Sequence, residues 1–302
     1  MQSLISRICT KALSEELISF RPISGLGSVN EVYAFDTVEG KYILRINDFE
    51  EKQVEYLKEK FCLEATGGLG IPGPKVLAMG QMESYVYMIQ NHLGGRNAKD
   101  VEQANRNQIW RKLGTYARKF HEIPGIDDEA VNEQEFHADW KARLNYNLKE
   151  LHQSDSLLSL GYLSSEEHRA ISTLLESLEE KEFKTGLVHG DLSPRNVHME
   201  GEEIYLLDWG TAEINVVPHT EIGILQISGE ASEKEISLFL EGMGISQKGY
   251  QAIERDVHAL NLLHRLDKYR WAEAYDQDKL DAYVEKIKSA SSFLNQSQSN
   301  ET

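Results

Sequence analysis

Three side chains with oxygen donors break the apolar pattern of "LVHGDLSPRNVHMEGEEIYLLDWG", residues 187–210: Asp191, Asn196 and Asp208. The segment reads as strand, loop, strand, tight turn, strand, with "EGEE" as the turn between "NVHM" and "IYLLD". Asn196 and Asp208 lie the same distance on either side of Glu202, so a hairpin centred there brings them together at its open end. An amide oxygen beside a carboxylate suits Mg²⁺, a hard cation that prefers oxygen ligands. Asp191 lies on the loop entering the hairpin and reaches the same space. Singly, each residue looks like a turn cap or a loop start. The ordered set, H-G-D-x₄-N followed by D-x-G, reads instead as a metal site with a base beside it.

Such a set needs rigid elements behind it. "EVYAFDTVEGKYILRIN" is two short β runs around a Glu-Gly turn. In the second run Leu44 and Arg45 take opposite faces. "FEEKQVEYLKEKFCLEATGG" reads as a helix ending at Gly67-Gly68. "IPGPKVLAMGQMESYVYMIQ" gives two more strands around 81–83. Beyond "NHLGG" the chain turns helical, over about 98–122, 135–153 and 165–181, and again from Pro218 onward. The expectation is an α+β, bilobal molecule. A small antiparallel-sheet N-lobe spans 1–92, a larger, mostly helical C-lobe spans 93–302, and the cleft between them is the default ligand site. From Ser289 the polar tail predicts disorder.

Composition narrows the function classes. The 302 residues are 40% hydrophobic and 27% charged, ordinary values for a globular chain. A net charge of −17 disfavours nucleic-acid binding, which needs basic surface against phosphates. No apolar run is long enough to cross a bilayer, and the first seventeen residues read as an amphipathic helix rather than a signal peptide. Two cysteines are too few for a disulfide framework, so the expected compartment is the cytoplasm.

The 187–210 segment resembles the catalytic loop and metal-binding turn of the aminoglycoside phosphotransferase and choline kinase-like family, relatives of the protein kinases. His189-Gly190-Asp191 stands where protein kinases carry H-R-D, and Asp208-Trp209-Gly210 where they carry D-F-G. The resemblance implies a kinase-like fold and ATP as phosphoryl donor. It makes Asp191 the catalytic base, with Asn196 and Asp208 holding Mg²⁺. Gly190, in place of the kinase Arg, points to the branch acting on small molecules. "ISGLGSVNEVYAF" takes the place of the phosphate-covering loop, through Gly25, Gly27, Ser28 and Asn30. Arg45, in "YILRIN", stands where the family usually has Lys; its planar fork keeps the charge and can grip phosphate. Glu55, Glu59 and Glu64 could each pair with it, and Glu59 fits the family spacing best. Gln90 and His92 would meet the purine through backbone groups. Arg195 either adds charge near the transferred phosphate or forms a surface ion pair.

The acceptor implied is a hydroxyl on a small molecule. Residues 201–302 hold 18 Asp and Glu against 9 Lys and Arg. Glu213, Glu221, Asp267 and Asp276 could therefore meet ammonium groups, with Tyr269, Trp271 and Tyr275 packing beside them. An aminoglycoside fits this, as does a choline-like amine. Homoserine, a ketosamine, a thiosugar or a peptide antibiotic remain alternatives, as does a nucleotide-binding pseudokinase, whose main support is Arg45.

Overall fold

The computed structural model describes residues 1–23, 31–49, 52–125, 136–153 and 155–299. Its first part is a five-stranded antiparallel sheet built from β1 (Ser19–Pro22), β2 (Glu31–Asp36), β3 (Lys41–Asn47), β4 (Val76–Met82) and β5 (Tyr85–Asn91). The strand order is β1-β2-β3-β5-β4. Period-two alternation sorts β3 as expected. Leu44 and Ile46 are buried with Ile5 and Ile8 of helix α1 (Gln2–Leu13), whereas Arg45 faces α2 (Lys52–Gly68) on the other side. On that second face Tyr56 of α2 packs against Val86 and Met88. The sheet is thus clamped between two helices, and Arg45 is held inside one clamp.

The second part is mainly helical. It carries a three-stranded sheet of β6 (Arg96–Asn97), β8 (Val197–Glu200) and β9 (Glu203–Leu206), and a two-stranded one of β7 (Thr185–Val188) and β10 (Glu213–Val216). Its helices are α3 (Gln103–Phe120), α4 (Trp140–Gln153), α5 (Ser156–Ser159), α6 (Ser165–Glu176), α7 (His219–Ser228), α8 (Glu233–Met243), α9 (Gln247–Tyr275) and α10 (Leu280–Ser299). One core surrounds Trp110, Phe120, Trp209 and Phe239; another joins α4, α6, α9 and α10. No helix among the described residues is long and apolar enough to cross a membrane.

Two expectations change. The tail predicted to be disordered from Ser289 is helical to Ser299, because Leu280, Tyr283, Val284, Ile287 and Ala290 recur at helical spacing and dock on the second core. Tyr269, offered as a ligand contact, is fully buried and belongs to that core.

The pair α3 and α8 shows how closely the frame behind the site is packed. A Cβ at Gly114 would lie 2.0 Å from the Phe239 carbonyl oxygen, and one at Gly242 would lie 2.0 Å from that of Arg111. Each helix therefore uses a glycine to let the other's backbone in. Gly114→Ala is expected to destabilise the protein by about 1–3 kcal/mol or more through overpacking, despite alanine's better helix propensity. Urea unfolding checks this; an unchanged midpoint would remove the close-approach argument.

Candidate active site

The hairpin forms with the register the sequence suggests: Val197 pairs with Leu206 and Glu200 with Glu203. The Leu207 N–H then donates to the Asn196 carbonyl at 2.9 Å, so residues 196 and 207 face each other at the open end. Asn196, 7% exposed, ends a 3₁₀ turn begun by Pro194. Its side-chain nitrogen donates to both the carbonyl and Oδ2 of Asp191, each at 2.8 Å. That fixes the amide orientation and turns Oδ1 of Asn196 away from Asp191. Arg195 Nη2 donates to the other carboxylate oxygen of Asp191 at 2.5 Å, and its Nη1 pairs with Glu230 just beyond α7.

His189 braces this loop. It is fully buried, its Nδ1 accepts the Asp191 N–H at 3.3 Å, and its Nε2 lies 3.0 Å from the Leu207 carbonyl. Since Nδ1 accepts, the proton sits on Nε2 and is donated to Leu207. Burial lowers the His189 pKa, which keeps the ring neutral. The ring packs 4.5 Å from that of Trp209, which meets Phe120 of α3 edge-on at 5.3 Å. Gly190 has φ +78°, and a Cβ there would lie 2.6 Å from the Thr211 carbonyl oxygen. A bulkier residue is excluded on both counts.

Glu221, at the start of α7, sits beneath the loop with no exposure, and its Oε2 accepts the His189 N–H at 2.7 Å. It was expected to meet ligand ammonium groups; the structure instead places it in the interior as a clamp on the loop backbone. A sequence signal was there: it is one charge at the head of the apolar run "EIGILQI". Burial raises its pKa to about 8.

Buried titratable groups give a pH dependence. Burial lowers His121 to about 3, and His258 and His264 to about 4. Below about pH 6.5 the unfolded chain takes up protons at these rings that the folded chain refuses, so their contribution falls as the pH drops toward about 4. Glu221 acts oppositely: its folded carboxyl keeps a proton up to about 8, so its contribution falls as pH rises from about 4.5 to 8. His92, His189 and His219 are lowered in the same sense, and Glu59 and Asp267 are raised with Glu221, so six rings oppose three carboxyls below pH 6.5. Stability is therefore expected to fall on acidification from pH 7 to pH 5. A urea midpoint at pH 5 equal to or above that at pH 7 would refute this.

Asp208 closes the site from the other side. Its backbone is left-handed, φ 59°, a conformation Asp and Asn tolerate better than most residues. Its half-exposed carboxylate lies 3.8 Å from Arg45 Nη2. Arg45 Nη1 donates to Glu59 Oε1 at 2.6 Å, and the Gln90 side chain reaches the same oxygen at 3.5 Å. Burial alone would lower the Arg45 pKa; Glu59 and Asp208 outweigh it and raise it. Glu55 and Glu64 pair instead with Lys52 and Lys60 on α2 itself. The His92 N–H, expected to face a purine, already donates to the Lys41 carbonyl, because β3 and the connector are zipped at that point. Gly25, Gly27, Ser28 and Asn30 lie outside the described residues.

Asp191 and Asn196 thus form one bonded pair, Arg45, Glu59 and Asp208 another group, and the Leu207–Asn196 backbone bond joins the two at the hairpin's open end. No group of three or more His, Cys, Asp and Glu that could hold a metal ion occurs among the described residues. A metal here would rest on the Asp208 carboxylate and the Asn196 amide oxygen. That sparse oxygen set fits Mg²⁺, which keeps waters and shares its ligands with phosphates.

An antiparallel sheet over a helical part, with a hairpin-borne set of acids facing a buried Arg–Glu pair, is the architecture of kinase-like phosphotransferases. A family model described as "Phosphotransferase enzyme family" matches residues 19–254, and the chain belongs to that family. That family is one of phosphotransferase enzymes. No curated protein sequence matches. Among solved structures, aminoglycoside 2′-phosphotransferase-IIIa in its GDP complex superposes with a TM-score of 0.71 at 15% identity, covering 96% of this chain and 98% of that one. A fructosamine-3-kinase-like protein from Haemophilus somnus gives 0.63 at 14%, covering 97% of both. A macrolide 2′-phosphotransferase from Brachybacterium faecium gives 0.67 at 15%, covering 95% and 98%. At these identities the likeness speaks for the fold.

Proposed function

We propose that the enzyme transfers the γ-phosphate of ATP to the hydroxyl of a small molecule, with Asp191 as the base. The observation that carries this is the junction of Arg45–Glu59 with Asp208, 3.8 Å away, beside the Asn196–Asp191 pair. It sets a cation for phosphate, oxygen ligands for a metal and a carboxylate for the hydroxyl side by side. Asp191 accepts the hydroxyl's hydrogen bond and directs its oxygen at the γ-phosphorus. Transfers of this kind depend mainly on positioning and charge neutralisation. Asn196 and Asp208 would hold Mg²⁺, which when bound neutralises charge on the phosphate oxygens. Arg45 holds the phosphates, and Glu59 keeps its guanidinium in place. The segment with Gly25, Gly27, Ser28 and Asn30 would cover the phosphates, and the chain at Gln90–His92 would border the base. The Asp191 carboxylate is already engaged by Arg195 and Asn196 in the described structure, so the hydroxyl must share or displace one of these contacts.

The acceptor reading is an amine-bearing compound, because residues 201–302 carry 18 Asp and Glu against 9 Lys and Arg. Aminoglycosides are one such class and choline-like amines another; homoserine, ketosamines and thiosugars are rivals. A pseudokinase is the poorer reading, since Arg45 is engaged with Glu59 as a working phosphate-binding cation would be. The test is ADP release from Mg²⁺-ATP across these acceptors. Stimulation by any one supports transfer; tight ATP binding with no stimulated release would favour a binding module.

A further inference from the structure

Helix α7 grips the catalytic loop from both of its ends. Near its start, Glu221 accepts the His189 N–H at 2.7 Å. Just past its end, where Gly229 turns the chain at φ +68°, Glu230 pairs with Arg195. The two contacts are unlike. Glu221 is fully buried and holds backbone. Glu230 has a side chain 35% exposed, and it holds the tip of one that is 43% exposed.

The backbone of Arg195 is fixed. Pro194 precedes it in the 3₁₀ turn, its carbonyl accepts from Asn97 Nδ2 at 2.6 Å, and the Asn196 N–H that follows donates to the Ser193 carbonyl at 3.0 Å. The guanidinium reaches out from that frame and forks. Nη2 donates to Asp191 Oδ1 at 2.5 Å, and Nη1 meets Glu230. One cation thus joins the base to a carboxylate on another element. An ion pair this exposed stabilises little, because water serves both partners almost as well. The arm on Glu230 therefore opens readily.

Phosphoryl transfer makes a demand that this arm can meet. A phosphate brought in line beside Asp191 faces a like charge, and the two repel. Arg45 stands on the Asp208 side, bonded to Glu59 and 3.8 Å from Asp208. Arg195 is the cation already on the base. Its planar fork can hold a carboxylate with one nitrogen and a phosphate oxygen with the other. A carboxylate oxygen has two lone pairs, so Asp191 Oδ1 keeps one for the acceptor hydroxyl.

We propose that Arg195 holds the terminal phosphate of the nucleotide by exchanging Glu230 for it, while its other arm stays on Asp191, and that Glu230 sets how readily the exchange occurs. This rests on the phosphotransferase reading and adds a phosphate-holding residue to it. In the transfer the acceptor oxygen bonds to the γ-phosphorus, the bond to the leaving ADP oxygen breaks, and the hydroxyl proton goes to Asp191. Arg195 keeps its protons throughout and neutralises charge on the phosphate.

The test is calorimetric titration of the full chain, in Mg²⁺, with ADP and with β,γ-methylene-ATP, which carries the third phosphate and does not transfer it. Arg195→Met should weaken the triphosphate analogue by about tenfold or more and leave ADP within about twofold, as expected for one lost charge-assisted contact. Arg195→Lys should recover part of the loss, since it keeps the charge without the fork. Glu230→Gln should tighten the analogue by about two- to fivefold with ADP unchanged, because a competitor for the arm is gone. A surface ion pair with no part in holding phosphate would leave the ratio of the two affinities the same in every variant, and that result would overturn the proposal. So would a Glu230→Gln protein that binds the analogue more weakly relative to ADP. Should Arg195→Met lose ADP as well, the Arg195→Lys and Glu230→Gln ratios decide. No binding of either nucleotide by the unaltered protein would remove the phosphotransferase reading, and this proposal with it.

Discussion

Asp191→Asn is expected to lower kcat by about 10²–10⁴-fold, the span typical of a lost general base, while leaving the dissociation constant for nucleotide nearly unchanged. The substitution is close to isosteric. Both oxygens of Asp191 are engaged, by Arg195 Nη2 at 2.5 Å and Asn196 Nδ2 at 2.8 Å. An amide can keep one of these contacts through its oxygen, but its NH₂ must then face a donor. The loop itself should hold, because its backbone is fixed from below by Glu221 and from the side by His189. A loss confined to kcat, measured with nucleotide binding by calorimetry, separates a chemical role from a collapsed site. Near-normal turnover would remove Asp191 from the mechanism.

Asp208→Asn is expected to lower kcat by about 10²–10³-fold at a fixed Mg²⁺ concentration, with part of the loss recovered as Mg²⁺ is raised. Asn is the informative replacement because residue 208 has φ 59°, and Asn accepts the left-handed region about as well as Asp. The change therefore removes a charge without forcing the backbone. It also removes the carboxylate 3.8 Å from Arg45, leaving Glu59 as that guanidinium's anionic partner among the described residues. Titrating turnover against Mg²⁺ for both proteins checks this. Equal Mg²⁺ dependence in the two would mean that Asp208 is not a metal ligand.

What the sequence disclosed, and what it withheld, follows from how local each signal is. The 196–208 hairpin was legible because its turn, its two β runs and its open end all lie within a dozen residues. Arg45 was legible because period-two alternation sets its face against Leu44. The choice of Glu59 over Glu55 and Glu64 rested on family spacing; geometry adds that the other two satisfy lysines of their own helix. Glu221 was misread because its role depends on burial, and burial is set by the distant packing of α7 under the loop. The link between Arg195 and Glu230 was invisible for the same reason. β1, with the sequence Ser-Phe-Arg-Pro, carries no alternating pattern, and it exists because β2 offers it an edge. The pairing of Gly114 with Gly242 needs both helices in place before either glycine has a meaning.

The central claim is phosphoryl transfer from ATP to an acceptor hydroxyl at Asp191. Its most direct measurement follows γ-labelled ATP with Mg²⁺ and the acceptor panel, reading label and mass on the acceptor itself. One phosphate ester on a hydroxylated acceptor is expected, formed by the unaltered protein and absent with Asp191→Asn. Label that stays on ATP for every acceptor, while ATP is bound, would contradict it; so would an ester formed equally well by the Asp191→Asn protein.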